Sequence, residues 1–164
     1  MKLGTLAATM LLLATPAFAQ SAPSSKEFLT EAVKGDNAEI QMGQLAAARG
    51  GSKEVRDFGK MLSKDHQKAA AQVRKLVMKM KMQTPTGLPD AAKEEKAKLQ
   101  KLNGAEFDKE FAAYMVEDHQ KDVAKFQQQA EQGDNPQVKE LAAAQLPTLK
   151  KHLAAAQELT ASGQ

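Results

Sequence analysis

Apolar residues recur along this chain at spacings of three and four, the period of helices that bury one face. From Lys26 to Arg49 the stripe runs Phe28, Leu29, Ala32, Val33, Ile40, Leu45 and Ala46, and Gly50-Gly51 stops it. Ser52 is placed to cap a second helix that carries Val55, Phe58, Leu62, Ala69, Val73, Leu76, Val77 and Met80. The breakers Thr84 to Pro89 follow. Asp90 is expected to cap a short charged helix closing near Asn103-Gly104, with Gly104 either a kink or a boundary. A longer helix then carries Phe107, Phe111, Met115, Val123, Phe126 and Ala130. Gly133-Asp134-Asn135-Pro136 reads as a helix end, a cap and a proline at the first position of the next helix. That last helix holds Val138, Leu141, Ala142, Leu149, Ala156 and Leu159, and Pro147 inside it is expected to kink it.

No segment alternates as a half-buried strand does, and Ala, Leu, Lys, Gln, Glu and Met dominate. The pattern predicts an all-α fold. Two tight hairpins, first helix with second and third with fourth, are joined by a long connection from about Met82 to Gly104, which makes a four-helix bundle with a crossover over residues 26–162. The front of the chain reads differently. Lys2 is followed by an apolar run centred on Leu11, Leu12 and Leu13, then by Ala17-Phe18-Ala19, the small-x-small pattern of a secretory leader. Cleavage after Ala19 is expected to leave a periplasmic or secreted bacterial protein with a loose polar arm over 20–25 and no transmembrane segment.

Length and charge narrow the possibilities further. A chain of 164 residues is one domain by size, and its net charge of +3 is spread along the sequence, which argues against nucleic acid as a partner. The absence of cysteine excludes disulfides, a thiol nucleophile and thiolate metal sites. Glycine-rich phosphate loops and serine nucleophile elbows are also absent, so no enzyme class is assigned.

The chemistry gathers on three histidines, all of which fall on apolar stripes. His66 follows Leu62 by four, His119 lies four after Met115 and four before Val123, and His152 lies three after Leu149 and four before Ala156. On the first helix, the series Phe28, Ala32, Gly35, Glu39, Gly43, Ala46 places one carboxylate in a stripe of apolar and small residues. Each helix thus offers one ionisable group to the interior. Measured from the first turn, Glu39 and His66 differ in depth by roughly 7 Å at about 1.5 Å per residue. Side chains lean toward a helix N-terminus, which brings the two together, and the same arithmetic holds for His119 and His152 around Gly133. Burying four such groups is costly unless something pairs them, and imidazoles with a carboxylate suit zinc, copper, iron, nickel or manganese. Glu39, His66, His119 and His152 are therefore candidate ligands of a single transition-metal ion, with Asp65, Asp118 and Asp122 as supporting acceptors or further ligands. The competing expectation is that each histidine is a core polar group bonded to a neighbouring oxygen. A second metal candidate, Met78, Met80 and Met82, offers thioethers, but a helix turns successive ones about 200° apart, which favours ordinary packing at a helix end.

Several motifs carry a family likeness. Phe28 to Ala46 with Gly35 and Ala38-Glu39-Ile40, Asp65-His66, Leu102 to Asp108, Tyr114 followed by His119, and Leu146-Pro147 before His152-Leu153 resemble the bacterial family named domain of unknown function 4142. The likeness covers about Lys26 to Leu159. It implies an exported protein of the ferritin-like superfamily, a group often described as outer membrane proteins without a defined activity. The ferritin-like pattern has Glu on the first and third helices and Glu-x-x-His on the second and fourth. Glu39, His66 and His152 fit it, whereas Ser63, Leu149 and His119 stand where further glutamates belong. That departure speaks against a carboxylate-bridged di-iron centre and for one metal or none. Two functions follow: a metal-binding bundle in storage, sensing or stress defence, or a metal-free helical module that binds an envelope protein.

Overall fold

A computed structural model describes residues 22–162, all of its regular structure helical: α1 (Ser25–Arg49), α2 (Lys53–Lys79), α3 (Asp90–Leu99), α4 (Gly104–Gln132) and α5 (Pro136–Ser162). The expected leader, residues 1–19, lies outside the described residues. The long helices form a four-helix bundle in which α1 packs along α2 and α4 along α5, with α2 against α5 and α1 against α4 closing it. The long connection contains α3, which packs on α1 and α4.

Helix ends follow local chemistry. A capping box opens α1: the Glu27 amide donates to Ser24 Oγ at 3.3 Å and the Ser24 amide donates to Glu27 Oε2 at 3.0 Å. The loose arm expected over 20–25 is corrected at its end, because Ser24 is this cap and Ser25 is buried, its amide donating to Asp134 Oδ1 at 3.0 Å. Ser52 caps α2 through Val55 N, and Asn135 caps α5 by accepting from Gln137 N and Val138 N. Asp90 does not cap α3. Pro89 holds that position, and Asp90 is the first helical residue. Gly104 is a boundary, opening α4 at φ +56°. The helical assignment of α5 runs through Pro147 without interruption, since a proline removes only one backbone donor when the flanking turns are packed.

The register between hairpins is pinned at one end. Asp108 of α4 accepts from the amides of Gly51 and Ser52, both at 2.7 Å, and Arg49 donates to the Gln100 and Leu102 carbonyls and to Asn103 Oδ1. These contacts fasten the crossover onto the α1–α2 turn. Within the first hairpin the helices touch backbone to backbone at Gly43 and Gly59, where an added Cβ on Gly43 would lie 2.7 Å from Gly59 O. Only glycine permits that approach.

The apolar interior divides into two clusters. One, toward the Gly50 end, contains Met42, Phe58, Leu62, Leu99, Phe107, Phe111 and Met115; the other contains Phe28, Val33, Val73, Val77, Phe126, Val138 and Leu149. Between them, on all four long helices, lies a layer of buried polar groups: Asp36 and Glu39, His66, His119 and His152.

Candidate metal centre

The three histidines come from α2, α4 and α5 and face one another across this layer. Their ring centroids are 5.8 Å (His66–His119), 5.3 Å (His66–His152) and 5.4 Å (His119–His152) apart. One nitrogen from each ring lies within 4.8 Å of the others. All three are buried, at 4%, 0% and 0% exposure. Each ring is anchored through its other nitrogen. His66 Nδ1 is hydrogen-bonded to Asp36 Oδ1 at 2.8 Å, His119 donates from Nδ1 to the Met115 carbonyl at 3.0 Å, and His152 from Nε2 to Asp65 Oδ2 at 3.4 Å. The nitrogens left over, His66 Nε2, His119 Nε2 and His152 Nδ1, have no hydrogen-bond partner. Three orphaned, buried acceptors in one layer are costly in a finished core, where such groups are paired. One nitrogen oriented by an oxygen and the other free is also how imidazole ligates metals.

Glu39 also lies close to His119. It is 1% exposed, forms a mutually close set with Asp118 and His119, and leaves Oε2 without a partner. Burial, then the neighbouring Asp118 and the hydrogen bond between the two carboxyls, raise the Glu39 pKa well above the usual carboxylate range. Asp36 is raised well above its ordinary value by burial, and Asp122 is pushed up to about 7 by burial and by Asp118. Burial acts on the imidazoles in the opposite sense. It lowers His66 to about 4, His119 to about 3 and His152 to about 4, so all three are neutral at physiological pH, the state in which imidazole binds cations.

The four predicted ligands therefore occupy one layer but two groupings: the histidine triad, and Glu39 with Asp118 beside His119. Of the supporting acids, Asp65 holds His152, Asp118 pairs with Glu39, and Asp122 raises Glu39 from a half-buried position. Asp36, buried against His66, was missed by the sequence reading. Its signal was present, since it continues the series Phe28, Ala32 at a spacing of four and lies three after Val33. The methionine candidate resolves differently from its premise. The helix ends at Lys79, Lys81 takes φ +53°, Met80 and Met82 pack against the second apolar cluster, and Met78 is exposed.

The sequence profile of DUF4142, a domain of unknown function, matches residues 12–159. The chain belongs to the DUF4142 family. Solved structures share its bundle at low sequence identity. A DUF305 protein from Streptomyces coelicolor, described as secreted, superposes with a TM-score of 0.73 at 15% identity, covering 85% of this chain and 91% of that one. A DUF305 fragment from Deinococcus radiodurans gives 0.75 at 15%, covering 88% and 99%. CopM in its Cu(II)-bound form gives 0.74 at 13%, covering 87% and 99%. No curated protein sequence matches the chain. Among the described residues of this DUF4142 protein no helix is long and apolar enough to cross a membrane.

The donor set of the DUF4142 chain fits one transition metal. Three neutral nitrogens with carboxylates nearby suit copper, zinc, iron or manganese, whereas calcium and magnesium call for oxygen ligands alone. Two bridged metals would need more carboxylates facing the triad than the layer provides, because His119 Nδ1 is committed to a carbonyl and its single free nitrogen can serve one ion.

Proposed function

We propose that this protein is an exported helical bundle that binds a single transition-metal ion through His66 Nε2, His119 Nε2 and His152 Nδ1, with Glu39 as the carboxylate available to complete or balance the site. The observation that carries this reading is the convergence of three buried imidazoles, each with one nitrogen anchored and the other without a partner. Copper is the leading ion: imidazole nitrogens suit it, it binds divalent-metal sites most tightly in the first-row series, and the structurally similar CopM is copper-bound. Zinc, iron and manganese remain in the comparison. Asp36 and Asp65 orient the rings of His66 and His152, and Asp118 is hydrogen-bonded to Glu39, whose charged form a bound cation would favour. The expected leader at residues 1–19, with cleavage expected after Ala19, supports a mature chain in the periplasm or outside the cell, as does the structurally similar DUF305 protein described as secreted. The role in the cell is metal storage, sensing or stress defence.

Elemental analysis of the mature protein purified without a histidine tag tests the reading, beside a His66→Ala, His119→Ala double variant. Near-stoichiometric metal in the wild type, lost in a variant that keeps its helicity, is the expected result. Wild-type protein that holds no metal and takes up no copper, zinc, iron or manganese on titration would return the histidines to a structural role and direct attention to an envelope partner.

A further inference from the structure

The triad is buried, yet a cleft of about 210 Å³ leads toward it from the surface, walled by all four long helices. Its floor is formed by His66 and His152 together with Asp36 and Asp65, the two carboxyls that anchor their rings, while His119 lies behind them. The walls carry four carboxyls, Glu31, Asp36, Asp65 and Asp122, against two ammonium groups, Lys68 and Lys125. Both lysines are already engaged: Lys125 bridges from α4 to Glu31 on α1 at 2.7 Å, and Lys68 pairs with Asp65 at 3.2 Å. The cleft is therefore lined by carboxyl oxygens that a passing cation can engage, and both of its ammonium groups are paired.

Gly35 lies in the α1 wall of this cleft, in the middle of a helix, where glycine costs about 0.5–1 kcal/mol relative to alanine. Packing does not account for it. A Cβ built on Gly35 meets nothing within 4 Å, unlike Gly43 and Gly59, whose Cβ would strike backbone. The missing side chain leaves empty space at the point where the cleft passes between α1 and the other helices.

Building on the proposed metal site, we infer that this cleft is the route by which a transition-metal cation reaches and leaves the histidine triad, and that Gly35 keeps it open. Asp65, its side chain one-fifth exposed, lies on that route and anchors His152 through Nε2 at 3.4 Å, which leaves Nδ1 for an arriving ion.

The test separates rate from affinity. Copper(II) is mixed with metal-free protein in a stopped-flow instrument, and copper-dependent absorbance is followed in the wild type, Gly35→Ala, Gly35→Leu and Ala69→Leu; Ala69 lines the same cleft from α2. Both leucine variants are expected to load at least tenfold more slowly than the wild type, with unchanged stoichiometry and an equilibrium affinity within about threefold, while Gly35→Ala loads at a rate between the wild type and Gly35→Leu. The two leucines enter from different helices, so loss of folding in one leaves the other to decide. Leucine variants that keep their helicity and load at the wild-type rate would overturn the route and leave the metal site standing. A wild type that takes up no ion at all would overturn both.

Discussion

Replacing His119 with leucine separates a ligand from a structural histidine by the sign of a stability change. His119 is fully buried with Nε2 unpartnered, and an unmet buried polar atom costs about 1–3 kcal/mol. Leucine removes that cost. It also removes the Nδ1 hydrogen bond to the Met115 carbonyl, about 0.5–1.5 kcal/mol, although that carbonyl keeps its place in the α4 ladder. The net expectation for metal-free protein at pH 7 is a gain of about 1 kcal/mol, or roughly 2–5 °C in Tm for a chain of this size. Acid should widen the gap. Burial holds His119 at about 3 in the folded state, whereas the unfolded imidazole titrates near 6.5, so the unfolded wild type binds a proton that the folded protein refuses. The stability that neutral His119 allows is intact above pH 6.5 and falls by up to about 1.4 kcal/mol per pH unit as the pH drops toward 4, a loss the leucine variant does not share. Metal should reverse the order: at a hundred times Kd a ligand stabilises the native state by about 2.7 kcal/mol, and only the wild type would gain it. Thermal melts followed by circular dichroism, in EDTA and in saturating copper(II) or zinc(II), read all three comparisons. A variant melting more than about 3 °C below the wild type in EDTA at pH 7 would refute the reasoning and make His119 a core-specifying group.

Three further outcomes are expected. Asp36→Asn should weaken metal binding about 10–100-fold by titration calorimetry, because the carboxyl orients His66 and supports its basicity toward a cation, while leaving metal-free protein no less stable, since an amide of the same shape avoids the cost of burying an ionisable group. Burial and Asp118 disfavour the charged form of Glu39, whereas the imidazoles are already neutral, so copper binding that draws on Glu39 should release protons from it and tighten as pH rises. Calorimetry in buffers of different ionisation enthalpy reads the number released, and Glu39→Gln should bring it close to zero. Gly43→Ala should lower Tm by several degrees, because its Cβ would lie 2.7 Å from Gly59 O and 2.8 Å from Ser63 N, an overpacking cost of about 1–3 kcal/mol. Gly35→Ala, whose Cβ enters open space, should instead raise it.

Much of this architecture is legible because helices are local. Spacings of three and four mark the buried faces, and Gly50-Gly51, Ser52 and Gly133 to Pro136 stop and start helices through contacts within a few residues. The depth of the ionisable layer follows too, since rise per residue and the lean of side chains are general properties of α-helices. Asp90 and Pro147 were harder to judge. A capping residue has an alternative in its neighbour, whereas Pro147 lies inside the last helix as its spacing predicts, giving up one donor without ending it.

By itself, then, the sequence determined four amphipathic helices in two hairpins and one polar group from each helix at a shared depth, because periodicity and capping act over one or two turns. Tertiary structure decided the rest. It sorted the predicted ligands into a histidine triad and a Glu39–Asp118 pair, brought in Asp36 to hold His66, left one nitrogen on each ring unpartnered, and opened a cleft at Gly35. Those outcomes depend on the rotation of each helix about its own axis and on how closely neighbours approach. Both are set by packing between residues far apart in sequence, such as the Gly43–Gly59 contact and the hold of Asp108 on the α1–α2 turn.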